Sequence, residues 1–433
     1  MYKWIWGSLI WGMVLCLPAV PAASPPALGL GALCRHADAQ AEAILMAHRD
    51  LAVSRQEQRQ ARADLIPDVG TYGQYYNKKG ETHSQPDTLT WGIRLTQSYS
   101  LAGREFTALA LGKQGVDRSA LAREITRSDH FLQVTQAYFN TLKSLRRIDI
   151  ARADQERLSA HQAFVGEQLK AGDVTKTALY RARAELAKSR TDELTARNQA
   201  REGMANLEKL TGMETPFALG LDGLSAWDDF SATAGEVFDR ALSQRPAIGL
   251  RQAEISIYQT RVDLARSQYW PDLSLEAGYK ENGVESDFGG VSVSYDQEDA
   301  YVQAGINVLL WDGGRRRAGW IMARENLEKA RENLARVKKE IRFDAKAACL
   351  ALETARGAME NLKEELMSAR ENFQAVDLQF KYGMADSIEI MDANTLLVQA
   401  QQRMVDARYT YYLAVARILH TRGDLVGRLL AME

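Results

Sequence analysis

The chain has 433 residues, a formal net charge of −2 at pH 7 and 25% charged residues. A charge balance so close to neutral gives no general attraction for polyanions, so we expect no nucleic acid as a partner. The longest segments are rich in alanine, leucine, glutamate, arginine and glutamine, a composition typical of long helices.

The first 23 residues have the pattern of an export signal. Lys3 precedes an apolar run from Trp4 to Leu17, and small residues follow up to Ala23. An uncleaved anchor is the alternative, but the run is short for a spanning helix. We therefore predict a signal peptide over residues 1–23, cleaved near Ala22. No later stretch has 18 consecutive apolar residues, so no other helix is expected to span a membrane.

A first structural unit is predicted over residues 24–211. Its opening helix ends at Pro67, because the residue before a proline disfavours the helical conformation. Period-two alternation after Pro67 predicts two strands, and apolar residues spaced by three and four predict two long helices broken at Gly172. The predicted bounds are about 68–77 and 88–99 for the strands, and about 104–170 and 175–211 for the helices.

The same order of elements recurs over residues 235–424, after an irregular connector over residues 212–234. Two strands follow Pro271, separated by an acidic, glycine-containing segment over residues 281–299 that we interpret as a loop. The long helices are broken at Gly383, and residues 425–433 form a C-terminal tail. The predicted bounds are about 272–281 and 300–310 for the strands, and about 315–382 and 387–422 for the helices.

The prolines and glycines that interrupt the helices recur at matching positions in the two units. Pro67 and Pro271 are 204 positions apart, and three pairs of glycines are 211 positions apart. A fixed spacing over about a hundred residues indicates that one unit was duplicated. The glycine pairs are Gly103 with Gly314, Gly172 with Gly383, and Gly212 with Gly423.

The long helices are too long for a compact domain. Alternating gaps of three and four between apolar residues predict a coiled-coil seam in each one. At 1.5 Å per residue, the helix from residue 315 to 382 would be roughly 100 Å long. We therefore expect these helices to project from a globular part or to build a tube.

Each of the four predicted strands has one apolar face and is about as long as a transmembrane β-strand. A water-soluble, half-buried sheet has the same period and is the alternative. Four strands cannot close a barrel, and an open sheet edge is unstable in lipid, so the membrane interpretation requires several chains. Twelve strands from three chains would leave a lumen, whereas eight from two would not.

The duplicated order of helix, two strands and long helical hairpin resembles the TolC-like outer-membrane efflux proteins. The resemblance extends over the mature chain, and the duplicated arrangement carries it more than any one motif. Its most specific parts are the junctions at Pro67 and Pro271, the turn at residues 311–315, and the tip at residues 381–383 followed by Glu389-Ile-Met-Asp-Ala393.

The resemblance implies a mainly α fold with a small β part. It implies a homotrimer with a twelve-strand β-barrel, four strands per chain, in the outer membrane of a Gram-negative bacterium, on an α-barrel tunnel in the periplasm. Such a channel passes substrates outward in a tripartite efflux or type I secretion system. Its implied partners are a periplasmic adaptor, an inner-membrane pump of the RND or ABC type, and outer-membrane lipid.

The resemblance also implies a gate at the periplasmic end. The ring aspartates of the family fall on Glu389 and Asp392, which share one helix face at spacing i, i+3. Three copies would place six carboxylates around a narrow mouth and attract cations. An ordinary solvated helix face is the alternative. The position aligned in the first unit is Ala178, where the family often has an acid; Asp173 or Arg181 is the candidate substitute.

The two hairpin tips are the expected contacts for the adaptor. Glycine allows the positive φ of a reversal, and Asp or Ser can cap the next helix. The alternative is that the tips are only turns. The tip residues are Lys170, Gly172, Asp173, Lys381, Tyr382, Gly383 and Asp386.

We expect no enzyme, catalytic residue, cofactor or metal site. The six histidines have no ligand spacing, and no nucleophile elbow or phosphate loop is present. Cys349 is interpreted as a small core residue, and the role of Cys34 is left open. The competing functional hypothesis is a periplasmic coiled-coil adaptor or structural protein with no pore of its own.

Overall fold

The computed structural model describes residues 27–77, 87–213, 217–220, 227–228, 230–288 and 291–432. The predicted signal peptide (residues 1–23) and parts of the predicted connector lie outside the described residues. None of the helices in the described part of the chain combines the length and apolar character needed to cross a membrane.

Helices dominate, with one small sheet and one short strand pair. In chain order the elements are β1 (Ala27–Leu28), α1 (Leu30–Gln40), α2 (Glu42–Ala63), β2 (Asp68–Tyr76), β3 (Asp87–Ser100), α3 (Arg104–Ala171), α4 (Lys176–Thr211), β4 (Ala218–Leu219), α5 (Ala234–Gln244), α6 (Pro246–Ser267), β5 (Asp272–Phe288), β6 (Val291–Asn307), α7 (Arg315–Lys381), α8 (Ser387–Arg422) and α9 (Leu425–Leu430).

The four longer strands form one antiparallel sheet in the order β2-β3-β5-β6. The sheet therefore joins the strand pair of the first unit to that of the second, with β3 beside β5. Side chains on one face are apolar and exposed, which is the pattern of a sheet made to contact something apolar. This face includes Val69, Leu89, Trp91, Ile93, Val302 and Ile306.

The second strand pair is longer than the sequence predicts. The expected loop over residues 281–299 is wrong, because β5 continues to Phe288 and β6 begins at Val291. The hairpin pairs Val284 with Tyr295, and these main-chain bonds form regardless of the acidic side chains between them. Strand β6 also ends at Asn307, so residues 308–310, which were predicted to belong to the strand, lie outside it.

The long helices form two hairpins packed side by side. Helix α3 has 68 residues and packs against α4, while α7 has 67 residues and packs against α8. Helix α3 also packs against α8, which joins the two hairpins into one body. The hairpins are therefore fixed to each other within one chain before any second copy is present.

An aromatic cluster builds the core at the level where the two units meet. The Phe139 ring lies 5.3 Å from that of Tyr412 and 5.7 Å from that of Trp227, which comes from the connector. The predicted C-terminal tail also belongs here, because α9 buries Leu425 and Leu429 completely. The expectation of a tail after residue 424 is wrong, since leaving two leucines in water would be unfavourable.

Both cysteines in the described part of the chain belong to this core region. Cys34 is completely buried, and burial raises the pKa of its thiol to about 12, so it is an inert apolar side chain. Cys349 is half-buried at the edge of the same cluster, with its Sγ 3.7 Å from the carbonyl oxygen of Ala232.

Candidate functional site at the hairpin tips

The two hairpin tips lie together because a small apolar cluster joins them. Val165 of α3 packs with Phe380 of α7 and Ile390 of α8. Side chains from both turns, including Val174 and Ala385, complete the cluster. The tips are therefore held as one unit at the far end of the helices.

Glycine makes each reversal possible. Gly172 has φ +88° and Gly383 has φ +71°, in the left-handed region that other residues rarely adopt. Each is followed by a main-chain bond that closes the last helical turn, from Asp173 N to Gln168 O (2.9 Å) and from Met384 N to Gln379 O (2.8 Å).

The second tip has the stronger helix cap. Asp386 Oδ1 accepts hydrogen bonds from the amides of Ile388 (2.7 Å) and Glu389 (2.9 Å), and Glu389 Oε2 accepts one from the amide of Asp386 (3.0 Å). This capping box fixes the start of α8. At the first tip, Thr175 caps α4 instead, accepting from the amide of Ala178 (3.4 Å).

Glu389 and Asp392 are both exposed on the first turns of α8. The capping box holds the Glu389 side chain back toward the tip, while Asp392 lies one turn further along the helix. The two carboxylates therefore occupy neighbouring positions on a well-anchored helix end.

The tips enclose a cleft of about 600 Å³. Of the residues predicted at the tips, Asp173, Gly383 and Asp386 line it, together with Arg181. Within the described residues, neither Asp173 nor Arg181 forms an ion pair across this cleft.

The remaining tip residues lie on the outside of the hairpins. Lys170 pairs with Glu167 (2.8 Å), Lys381 pairs with Asp377 (2.6 Å), and Tyr382 is exposed. These side chains are open to a partner but do not join the two tips.

A buried polar network lies further along the hairpins, and the sequence analysis did not single it out. The Asp154 carboxylate accepts hydrogen bonds from Ser189 Oγ (2.7 Å) and Asn394 Nδ2 (2.6 Å). Arg157 Nε donates to Asn394 Oδ1 (2.8 Å), and Arg157 Nη2 lies 3.7 Å from Asp154. The network joins α3, α4 and α8, and thus both hairpins.

The sequence does contain a signal for this network. Ala151, Asp154 and Leu158 are buried at spacings of three and four along α3, so Asp154 occupies a seam position that coiled coils usually give to an apolar residue. A carboxylate at such a position must find partners, because an unpaired buried charge is costly. Which residues supply them cannot be read from the spacing.

His161 connects the network to the tips. Its Nε2 lies 3.1 Å from Ser387 Oγ, and its ring lies 5.0 Å from that of Phe380. Burial lowers the pKa of His161, while the carboxylate of Asp377 partly opposes this shift. The charged neighbours in the same groove are Arg157, Asp377 and Lys381.

We expect the tips to loosen as the pH falls below the ordinary histidine pKa of 6.5. Between that value and the lowered pKa of His161, the unfolded chain is protonated and the folded chain is not. The contribution of His161 to the stability of the tips is therefore fully present above pH 6.5, and it is lost as the pH falls through the folded-state pKa. Hydrogen exchange at the tips, followed from pH 7.5 to 5, measures this.

The control for this pH effect is His161→Gln, which can still hydrogen-bond Ser387 but does not titrate. It should flatten the pH dependence of exchange at the tips. A pH dependence that is the same in the variant would assign the effect to another group.

The sheet and the helices are joined at the two predicted prolines, which lie directly before β2 and β5. The carbonyl oxygen of Pro271 accepts a bond from the amide of Leu101 (2.9 Å), which links the units; Pro67 is exposed at the corresponding place. Asp312 stabilises the second junction, because it accepts hydrogen bonds from the amide and Nε of Arg316 (3.0 and 2.9 Å).

Among the described residues, no group of three or more histidine, cysteine or acidic side chains is arranged to hold a metal ion. What the geometry provides is a long double hairpin with acidic, capped tips at one end and an apolar-faced sheet at the other.

The model of the family described as "Outer membrane efflux protein" matches residues 33–213 and 237–423. The chain belongs to this family. The two matched segments correspond to the two halves of the molecule, so the family assignment covers both hairpins and both strand pairs. The family is one of transport channels rather than of enzymes.

Two named relatives resemble the chain over most of its length. The outer membrane protein TolC of Vibrio cholerae is 22% identical over 371 residues, covering 84% of each chain. The alkaline protease secretion protein AprF of Pseudomonas aeruginosa is 22% identical over 347 residues, covering 74% of this chain and 67% of its own. A crystal structure of CusC has the same fold, with TM-score 0.80, 19% identity, and coverage of 91% and 92%.

The protein is therefore an outer-membrane exit channel with the TolC-like fold. The hypothesis of a periplasmic adaptor without a pore is set aside by the family assignment.

A substitution of Gly383 tests whether strain confined to one tip impairs export without affecting folding of the channel. Gly383→Val should strain the tip by about 1–2 kcal/mol or more, because its φ of +71° brings a Cβ too close to the backbone. Apart from Gly383 itself and its two chain neighbours, no heavy atom of the described residues lies within 4 Å of the position of that Cβ, so overlap with other residues adds nothing. We expect faster hydrogen exchange confined to residues 378–390 and impaired export, with membrane insertion unchanged.

Gly357→Val is the matched control for the tip. Gly357 lies inside α7, and its Cβ would also meet nothing within 4 Å, but its φ is not positive. It should leave exchange at the tip and export unchanged. Loss of folding and subunit assembly in Gly383→Val would make this glycine a purely structural residue.

Proposed function

We propose that three copies of this chain form the channel, each contributing four strands to a twelve-strand β-barrel in the outer membrane. The observation that carries the proposal is the sheet itself. One face exposes apolar side chains, and within the described part of the chain β2 and β6 each pair with a single strand. Because lipid cannot satisfy unpaired main-chain groups, the β6 edge of one copy must pair with the β2 edge of the next.

The helices are proposed to continue the barrel as a periplasmic tunnel. Segment 1–23 directs export, and the duplicated units over residues 24–211 and 235–424, joined by the connector over 212–234, each supply one hairpin. A helix of 68 residues is roughly 100 Å long, which is sufficient for a conduit well below the membrane.

The gate is proposed at the tips. Glu389 and Asp392 would face the axis, so that three copies place six carboxylates around the mouth. The exposed tip residues Lys170, Asp173, Lys381, Tyr382 and Asp386 are proposed to contact the adaptor, with Gly172 and Gly383 shaping the turns. The adaptor would connect the tips to an inner-membrane pump of the RND or ABC type, and the pump would select the cargo.

The experiment that tests this proposal is the mass and shape of the full-length protein extracted in detergent. Light scattering should give a polypeptide mass of about three mature chains, and negative-stain images should show a rod longer than about 100 Å. A monomer or dimer that stays in solution without detergent would contradict both the barrel and the trimer.

A further inference from the structure

The inference concerns the junction patch, a surface where the sheet of the second unit meets its helices, and it rests on the proposed barrel. The patch combines exposed apolar side chains with arginines. Its residues are Arg266, Trp270, Leu310, Trp311, Arg315 and Arg317.

The apolar part of the patch continues the apolar face of the sheet. Val302 and Ile306 of β6 are 85% and 68% exposed on this face, and Leu310, three residues after the end of β6, is 86% exposed. Trp311 (80% exposed) lies four residues after β6, and Trp270 (61%) lies two residues before β5. Tryptophans at the limit of an apolar band are typical of the level at which a membrane gives way to water.

The arginines lie immediately beyond the tryptophans. Arg266 is in the last turn of α6, and Arg315 and Arg317 are in the first turn of α7. All three are exposed, and none forms an ion pair or a side-chain hydrogen bond with the described residues. Arg316 brings the two helix ends together, since its guanidinium lies 4.9 Å from the Tyr269 ring and bonds to Gln268 O (3.3 Å).

The acidic side chains of this junction are already engaged. Asp312 is bonded to Arg316, and Asp272 is 3.4 Å from Arg104. The nearest free carboxylate on α6 is Asp263, one turn further from the sheet.

The first unit has fewer exposed arginines without a partner. Arg62, the counterpart of Arg266, is exposed and forms no ion pair with the described residues. Arg104, the counterpart of Arg315, lies 3.4 Å from Asp272, and Phe106 stands at the position of Arg317. The excess of unpaired positive charge is therefore larger at the second junction.

We propose that the junction patch binds the phosphate headgroups of anionic phospholipids in the leaflet on the helical side of the membrane. The tryptophans and Leu310 contact the acyl boundary, and the three guanidinium groups receive phosphate oxygens, which they can bind in a bidentate manner. An anionic lipid satisfies both parts of the patch at once, because each unpaired arginine near the surface adds attraction for negative headgroups.

The test uses the full-length protein in nanodiscs of four parts phosphatidylcholine to one part phosphatidylglycerol. After gentle extraction, the phosphatidylglycerol and phosphatidylcholine retained per assembly are counted by native mass spectrometry. We expect the retained ratio of phosphatidylglycerol to phosphatidylcholine to exceed the bulk ratio of one to four by about tenfold or more, since one arginine near an anionic surface contributes a factor of about five.

The combined variant Arg266→Gln, Arg315→Gln and Arg317→Gln should return the retained lipid ratio to near the bulk ratio. The matched control is Arg183→Gln, Arg190→Gln and Arg201→Gln, which removes three exposed, unpaired arginines of α4 and should retain the enrichment. Equal loss in both variants would mean that only overall charge matters, and the patch would not be a lipid site.

Two further outcomes would overturn the inference. Displacement of phosphatidylglycerol by inorganic phosphate, but not by chloride at equal ionic strength, would make the patch a site for free anions. Dissociation of the assembly in the patch variant would make it a subunit contact. Insertion and conductance are also measured in phosphatidylcholine alone. Normal insertion and conductance without lipid enrichment would contradict the lipid site but not the proposed channel. A chain that does not insert would contradict the channel itself.

Discussion

Asp154→Ala should lower the stability of the channel by about 3 kcal/mol, the largest loss that we expect from a single polar substitution. The removed carboxylate accepts hydrogen bonds from Ser189 and Asn394 and forms an ion pair with Arg157. Breaking a buried ionic network from one side leaves its partners without compensation, which costs about 3–5 kcal/mol, and the partial exposure of Arg157 reduces this figure. The measurement is the midpoint of thermal unfolding in detergent, followed by helix content.

Two variants test whether burial is the cause. Asp149→Ala removes an equally charged side chain of α3 whose ion pair with Arg146 (3.4 Å) is exposed to solvent. Because exposed ion pairs contribute little, this substitution should change the free energy of unfolding by less than about 0.5 kcal/mol. Asp154→Leu combined with Asn394→Leu replaces the polar contact by an apolar one and should recover part of the loss. Equal effects of Asp149→Ala and Asp154→Ala would show that the network contributes nothing specific.

Glu389→Ala combined with Asp392→Ala should raise the concentration of divalent cation needed to block the channel by about tenfold or more. In the proposed trimer, six carboxylates would surround the mouth and concentrate cations there, and removing them would abolish that local excess. The measurement is single-channel conductance in planar bilayers, with the cation added on the side of the helical tips. An unchanged block would place both residues outside the pore.

Glu389 also accepts the amide of Asp386, so loss of the helix cap must be distinguished from loss of charge. Glu389→Gln combined with Asp392→Asn keeps that acceptor, and we expect it to relieve the block as much as the alanine pair does. Asp192→Asn with Glu202→Gln removes two exposed carboxylates of α4 and should leave the block unchanged.

Much of the secondary structure can be predicted because it depends on neighbours in the sequence. The repeated glycines that mark the ends of the long helices, such as Gly172 and Gly383, have positive φ in the structure. Seam spacing predicts long helices, and alternation predicts strands, because each period is a local property of the chain. The spacing did not predict that β5 and β6 extend through an acidic segment, since pairing is stabilised by the opposite strand.

The spacing of residues along the chain was therefore sufficient to predict the duplicated unit, the mainly helical fold and the positions of the tips. Which side chains meet depends on how distant helices and strands pack. Asp154 and Asn394 are 240 positions apart, and their contact depends on how α3 is shifted along α8. Arg266 and Arg315 form one surface because Arg316 holds α6 against α7. Such contacts follow from packing between distant elements, which the spacing of residues within one element does not encode.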